Sequence, residues 1–348
     1  MQDVARVAGV SHQTVSRVLN DHPRVRPETR DRVLAVIAEL GYRRNSAARA
    51  LVTRRSGTIG LLTPRSMLYG PVSTMVSVEE AARRAGLFVS VASLQDYDAP
   101  AVAAALDHFL DQGVEGIIVI APVAEAVAAA SSLATRVPMV ILAVDTPGGA
   151  GFRTASVDHE LGGRLATRHL LELGHADIAH LSGPRGWLDA DARARGWRGE
   201  LADAGLPGRE PEVGDWTAES GFALGRRLLS RELPSAVFAG NDLMALGLVR
   251  ALTEAGVDVP ADVSVVGFDD IDGAAFHRPP LTTVRQDFGV LGARSVALLL
   301  DQLADRTESS PALLPPELVV RKSTAAPRTS WAGRLTRGDV NVNILESG

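Results

Sequence analysis

The 348-residue chain has a net charge of −5, no cysteine and a 46% hydrophobic composition. That length and composition suit two or three domains with sizeable cores, and the missing cysteine excludes disulfides and thiolate metal sites. No apolar run approaches the ~20 residues that span a bilayer, and the opening MQDVARVAGV lacks a signal-peptide core, so a cytoplasmic protein with no membrane partner is expected.

The net charge hides an asymmetry. Residues 1–55 hold 11 arginines against 5 acidic residues, a net of +6, while the remainder holds 25 basic against 36 acidic residues, a net of −11. A basic head on an acidic body places a polyanion partner at the head.

Within that head, Val4, Ala5, Val7 and Ala8 form a short apolar helix face, and residues 8–20, AGVSHQTVSRVLN, follow it. Gly9 permits a tight turn, and Ser11 is suited to cap the next helix. Val15, Val18 and Leu19 then share one face, leaving His12, Gln13, Ser16 and Arg17 outward. Two short helices joined by a glycine turn form a helix-turn-helix whose second helix can read DNA. Arg17 can bond guanine O6 and N7, and Gln13 adenine N6 and N7. On spacing alone, a surface helical hairpin with Arg17 as a solvated charge stays open.

Residues 27–42, PETRDRVLAVIAELGY, predict a third helix, with Pro27 in its first turn, Val33, Ile37 and Leu40 as buried stripe, and Gly41 as its stop. Residues 43–55, RRNSAARALVTRR, are either a charged linker or a marginal two-turn helix that orders when its arginines meet phosphate.

From Gly57 onward short apolar runs alternate with amphipathic helices. Strands are predicted at 58–63, 88–93, 116–121, 138–144, 154–157, 177–182, 235–239, 263–267 and 281–284. Helices are predicted at 72–85, 99–112, 124–135, 160–173, 190–204, 218–230, 242–255 and 288–303. That alternation implies parallel sheets covered on both faces, and so many units imply two open sheets divided near the TPGGAG loop. A ligand then belongs where the carboxyl ends of both sheets face each other.

Catalytic signatures are absent: there is no GxxxxGK[ST] loop, no HExxH, no G-x-G-x-x-G after a strand and no G-x-S-x-G elbow. The 8 histidines are scattered and read as surface or capping residues. No enzyme, cofactor or metal is expected.

The ordered motifs AGVS-x-QTVSRV-x-N, ELGY, GDW-x-x-x-SGF, NDxMALG, DVSVVG and PPLTT-x-x-QDF together resemble the LacI/GalR family of sugar-responsive repressors, over about residues 2–324. The resemblance implies an α/β protein with a helix-turn-helix head at 1–44, a hinge helix at 45–56 and a two-lobed core of parallel doubly wound sheets at 57–324, similar to periplasmic sugar-binding proteins. Lobe one would comprise 57–157 and 288–314, lobe two 158–286 and 316–324, and residues 325–348 a disordered tail.

By the same resemblance, Ser11, His12, Gln13, Thr14, Ser16, Arg17 and Asn20 face DNA, with His12, Gln13 and Arg17 at base-reading positions. Asn45 and Ala48 approach the backbone, and Leu51 wedges into the minor groove; a linker leucine packed on the core is its alternative. In the core, Arg193, Asn241 and Asp269 match polar sugar contacts, Trp216 and Phe288 apolar walls, Gln286 a pocket residue between lobes, and Leu68 and Pro71 first-lobe pocket positions. Arg, Asp and Asn together supply the donors and acceptors that vicinal hydroxyls need. Asp269 as a turn cap and Trp216 as core are the plainer readings.

Departures from the pattern are His12 for a tyrosine, Ala143 for a fourth-strand aspartate with Asp145 two residues on, Asp189 for a serine, and Pro64. C-terminal leucine heptads are missing, so a homodimer is expected rather than a tetramer. Family members carry a few more residues before this first helix. The resemblance therefore implies a nucleoid-associated repressor that binds a pseudo-palindromic double-stranded operator and is released by a small sugar, a β-galactoside. Two alternatives remain: a same-fold regulator using a co-repressor or partner protein, and a sugar-binding protein without DNA function.

Overall fold

In the computed structural model, residues 1–19, 22–42, 56–95, 97–133, 137–146, 152–306 and 312–328 are described. The expectations placed on Asn20, Asn45, Ala48, Leu51 and residues 329–348 lie outside them. Contacts divide the chain into two units, Met1–Gly57 and Thr58–Gly348.

The first unit is built by three short helices, α1 (Gln2–Val7), α2 (His12–Leu19) and α3 (Pro27–Glu39). None would persist alone in water; each exists because its apolar face is buried against the other two. Val4, Ala5, Ala8, Val15, Val18, Val33 and Val36 form that shared core. Gly9 takes φ +63°, and Ser11 Oγ accepts the Thr14 N–H at 3.1 Å, so the turn and the cap are as expected. Two details are corrected. Val7 is half exposed because it lies to one side of the Val4–Ala8 stripe. Leu40 is 43% exposed: α3 ends one residue before it, and Val36, one turn on from Val33, is buried in its place.

In the second unit, sheet one contains β1 (Thr58–Pro64), β2 (Phe88–Leu94), β3 (Ile117–Ile120), β4 (Met139–Leu142), β5 (Phe152–Val157) and β11 (Ala312–Leu314). They run in the order β11-β5-β4-β3-β1-β2, all parallel. Sheet two contains β6 (Ile178–Ser182), β7 (Glu212–Val213), β8 (Ala236–Ala239), β9 (Ser264–Asp269), β10 (Thr282–Arg285) and β12 (Glu317–Val319), in the order β12-β10-β9-β8-β6-β7. Only β12 is antiparallel to its neighbour. Every residue of β3, β4, β6, β8 and β9 is buried; β3, β4 and β8 accordingly read as continuous apolar runs rather than alternations, while β6 and β9 also bury His180, Ser182, Ser264 and Asp269. The two-residue β7 is too short to leave any such signal.

Helices α4 (Tyr69–Arg84), α5 (Ala99–Asp111), α6 (Ala124–Leu133) and α11 (Phe288–Leu303) cover sheet one. Helices α7 (His159–Glu172), α8 (Leu188–Asp203), α9 (Ala218–Leu229) and α10 (Asp242–Glu254) cover sheet two. The chain crosses between lobes three times: from β5 into α7, from β10 into α11, and from β11 into β12. Asp158 and Asp287 cap the helices that follow the first two crossings.

Lobe two is drawn tight by glycine. A Cβ on Gly163 would lie 2.3 Å from the Arg193 carbonyl oxygen, and one on Gly196 2.1 Å from that of Glu160, so α7 and α8 touch backbone to backbone. The tail is shorter than expected. Ala325 exchanges hydrogen bonds with Ser264 Oγ, at 3.0 Å each way, and Arg328 pairs with Asp262 at 2.9 Å, so residues 325–328 still belong to lobe two.

Candidate functional site: an exposed helix face and an interlobe cleft

In the first unit, burial of Val15 and Val18 turns the opposite face of α2 outward, and His12, Gln13 and Arg17 are exposed along it. Ser11 is exposed as well, while Thr14 and Ser16 are half-buried. The Ser11 and Thr14 hydroxyls lie 2.9 Å apart, so they hold the start of the helix as well as facing solvent.

In the second unit, a cleft with about 760 Å³ of free space, open mouth included, lies between the sheets. All eight expected core residues line it: Leu68, Pro71, Arg193, Trp216, Asn241, Asp269, Gln286 and Phe288. Each lies at or just past the carboxyl end of a strand or sits on the helix that follows one. That is where a doubly wound sheet splays its loops and leaves room for a ligand.

Lobe two contributes a connected polar floor. Gln286 Nε2 donates to Asp269 Oδ1 at 2.6 Å, and Arg193 faces the same oxygen at 3.7 Å. The guanidinium also donates to the Gly240 carbonyl at 2.5 Å and, through Nε, to His159 Nδ1 at 3.2 Å. Its carbon lies 3.8 Å from the Phe268 ring centre and 5.2 Å from that of Trp216, so a 4% exposed cation is held between aromatic faces. Asn241 has two tasks. Its Oδ1 accepts from Met244 N–H to cap α10, and its Nδ2 donates to the Trp216 carbonyl at 3.0 Å. Asp269 at φ +107° and Trp216 at φ +75° are both held in left-handed backbone. The Asp269 carboxylate takes its hydrogen bond from Gln286 and none from a backbone N–H among the described residues, so it faces the cleft rather than capping a turn. Trp216 is both 5% exposed core and cleft wall.

Burial governs the charge states. It pushes the Asp269 carboxyl up to about 6, against the pull of Arg193. Behind it, Asp242 is pushed up to about 8 by burial and by the charge of Asp269, while it accepts from Thr283 Oγ1 and Ile271 N–H. Burial holds His159 down to about 4, so its imidazole is neutral at pH 7.

Lobe one contributes a mainly apolar ceiling. Leu68, Pro71, Ile120, Ala143, Phe288 and Leu291 line it. Tyr69 meets Phe288 edge-on at 5.7 Å, and Trp187 meets Trp216 at 5.9 Å. Of the departures, Ala143 and Asp189 line the cleft, whereas Pro64 is buried within β1. Asp145 does not replace the missing strand aspartate: it pairs with Arg195 on α8 and is not among the lining residues.

The sequence reading missed Tyr69, His159 and Trp187. It took the histidines as surface or capping residues, but His159, His175 and His180 are buried, the last two bonded to Ser235 and to the Phe238 carbonyl. A signal for His159 was present, since it follows a strand end and the Asp158 cap directly.

The chain matches the lacI family of bacterial regulatory proteins over residues 1–45 and a periplasmic binding protein-like domain over residues 167–324. It is 38% identical to the lactose operon repressor of Escherichia coli strain K12, over 100% of this chain and 98% of that protein. It is 35% identical to the HTH-type transcriptional repressor PurR of Glaesserella parasuis, over 93% of this chain and 97% of that one. A crystal structure of the Lac repressor dimer bound to operator and the anti-inducer ONPF superposes with a TM-score of 0.83 at 38% identity, covering 93% of this chain and 98% of that chain.

Proposed function

Because the chain belongs to the lacI family of bacterial regulatory proteins, as a DNA-binding transcriptional repressor and not an enzyme, we propose that a small sugar, a β-galactoside, binds the interlobe cleft and releases the protein from its operator. The observation that carries this reading is the Gln286–Asp269–Arg193–His159 network facing an apolar ceiling. A pyranose has hydroxyls around its edge and apolar C–H faces, and this cleft offers one surface for each.

His12, Gln13 and Arg17 would then read base edges, with Ser11, Thr14, Ser16 and Asn20 on the backbone and Asn45, Ala48 and Leu51 in the hinge. The protein acts as a homodimer on a pseudo-palindromic site, since a two-fold protein matches a two-fold operator. Sugar and DNA favour different arrangements of the lobes, so each lowers the affinity of the other by the same factor.

The test is fluorescence anisotropy of a labelled lactose-operator-like palindrome at fixed salt, with and without a panel of galactosides. Release by one galactoside is the expected result. Tighter binding with the sugar would instead make it a co-repressor. Operator binding that no galactoside alters would sink the β-galactoside reading and move the inducer to another ligand.

A further inference from the structure

Asp189 is the feature of the cleft that the network above leaves unused. It is the second residue of α8, in the first turn, where the helix dipole favours a negative charge. Its side chain is 35% exposed and lines the cleft, yet it takes no hydrogen bond from another described residue. Its nearest charged or titratable neighbour is His159 Nε2, at 3.6 Å. Arg193 Nε donates to His159 Nδ1, so that ring carries its proton on Nε2 and turns an N–H toward Asp189. At that distance the neutral imidazole makes no hydrogen bond to the carboxylate and does not cancel its charge.

The rest of the lining does not cancel it either. Among the described lining residues Arg193 is the one permanent cation, and its donors already serve Gly240, His159 and Asp269. Lobe one faces the cleft with Ala143 and other apolar groups, plus Tyr69, Thr74 and Ser156. The Thr74 and Ser156 hydroxyls are donated to backbone carbonyls. The cleft thus holds two carboxylates, Asp189 and Asp269, against one engaged guanidinium.

We propose that Asp189 is a specificity-determining residue that accepts hydrogen bonds from ligand hydroxyls and rejects an anionic ligand, so that this cleft takes the unphosphorylated sugar and excludes its sugar phosphate. The proposal rests on the sugar-inducer reading. A carboxylate satisfies two adjacent hydroxyls with charge-assisted bonds. Facing a phosphate dianion it offers only like charge, in a partly dry cleft where that repulsion is weakly screened.

The experiment is isothermal titration of the full-length protein with methyl β-D-galactopyranoside, methyl β-D-glucopyranoside and cellobiose, and with galactose 6-phosphate and glucose 6-phosphate. Wild type, Asp189→Asn and Asp189→Ser are compared. In wild type a neutral sugar binds at least tenfold more tightly than any phosphate. In both variants the neutral sugar loses about tenfold while a phosphate gains, so the two move in opposite directions. A purely structural role for Asp189 would weaken both ligands together and would overturn the proposal. So would a wild type that takes a sugar phosphate as tightly as its neutral counterpart, an outcome that leaves sugar binding itself standing. If wild type binds none of the five, the sugar reading and this proposal fall together. Asp189→Ser keeps the result decisive if Asp189→Asn does not fold, since serine is well tolerated in a first helical turn.

Discussion

Arg195 of α8 reaches across from lobe two to the carboxylate of Asp145, in the loop that follows β4 of lobe one, and its Nε also bonds Glu160 at 3.2 Å. The pair is exposed, at 44% and 64% of the two side chains, so its contribution is bounded by that of surface ion pairs, about 0–1 kcal/mol. If a sugar releases the operator as proposed, Asp145→Ala should therefore shift the sugar concentration for half-release by less than about fivefold and leave the urea midpoint almost unmoved. A larger change in half-release, at unaltered urea midpoint, would make this contact a principal link between lobe arrangement and DNA.

Arg193 is a different case because it is buried. Its removal leaves the Asp269 carboxylate in the cleft wall with Gln286 as its remaining partner and takes away the stack on Phe268. Breaking a buried pair on one side costs about 3–5 kcal/mol. Arg193→Met is expected to lower stability by that order in urea unfolding and to abolish the response of the operator complex to sugar. Retained stability would mean that Asp269 becomes neutral instead, and the pH profile of the variant would show it.

The pH dependence of stability follows from burial. His159 and His180 are both held down to about 4, so the unfolded chain takes up their protons near 6.5 while the folded chain does not; folding gains stability as pH rises from about 4 to about 6.5. Asp269, up to about 6, and Asp242, up to about 8, act with the opposite sign: the folded chain keeps protons that the unfolded chain has lost, so stability falls as pH rises from about 4. Between about 4 and 6 the two histidines offset the two carboxyls. From about 6.5 to 8 Asp242 acts alone, with a slope of at most ~1.4 kcal/mol per pH unit. Urea unfolding across that window should show the decline. Asp242→Asn should flatten it, because the amide does not titrate, while its oxygen still accepts from Ile271 N–H and its N–H can donate to the Thr283 hydroxyl. An unchanged slope would assign the decline to another group.

Helix spacing in lobe two gives a fourth prediction. A Cβ on Gly247 of α10 would lie 1.9 Å from the Ala218 carbonyl oxygen of α9, so Gly247→Ala must push the helices apart. Alanine adds about 1 kcal/mol of helix propensity, and overpacking takes away about 1–3 kcal/mol. A net loss, read as a lower melting temperature, is expected; a gain would show that the pair separates at no cost.

The fold was largely legible. Fully buried strands such as β3 and β4 stand out as short runs of β-branched and aliphatic residues, and the helix starts at Asp98, Asp158, Thr217 and Asn241 carry side-chain caps. What failed were positions where one residue's place on a stripe decides its burial, as at Leu40, and the two-residue β7, which has no periodicity to read. The cleft was legible only through the family pattern: Arg193 lies on a helix of mixed composition, and nothing in its neighbours announces that it points inward. His159 was missed because a lone histidine at a helix start looks like a surface residue until Arg193 and Phe268 of its own lobe are packed against it.

The segments by which the chain passes between lobes are very short. A single residue separates β5 from α7, and two separate β10 from α11 and β11 from β12. With so few torsions available, the three crossings favour rotation of one lobe against the other over sliding. The cleft lies beside those crossings and the outer ends of the lobes lie far from them, so the protein is geared: an ångström of closure around a small molecule becomes a larger stroke at its extremities.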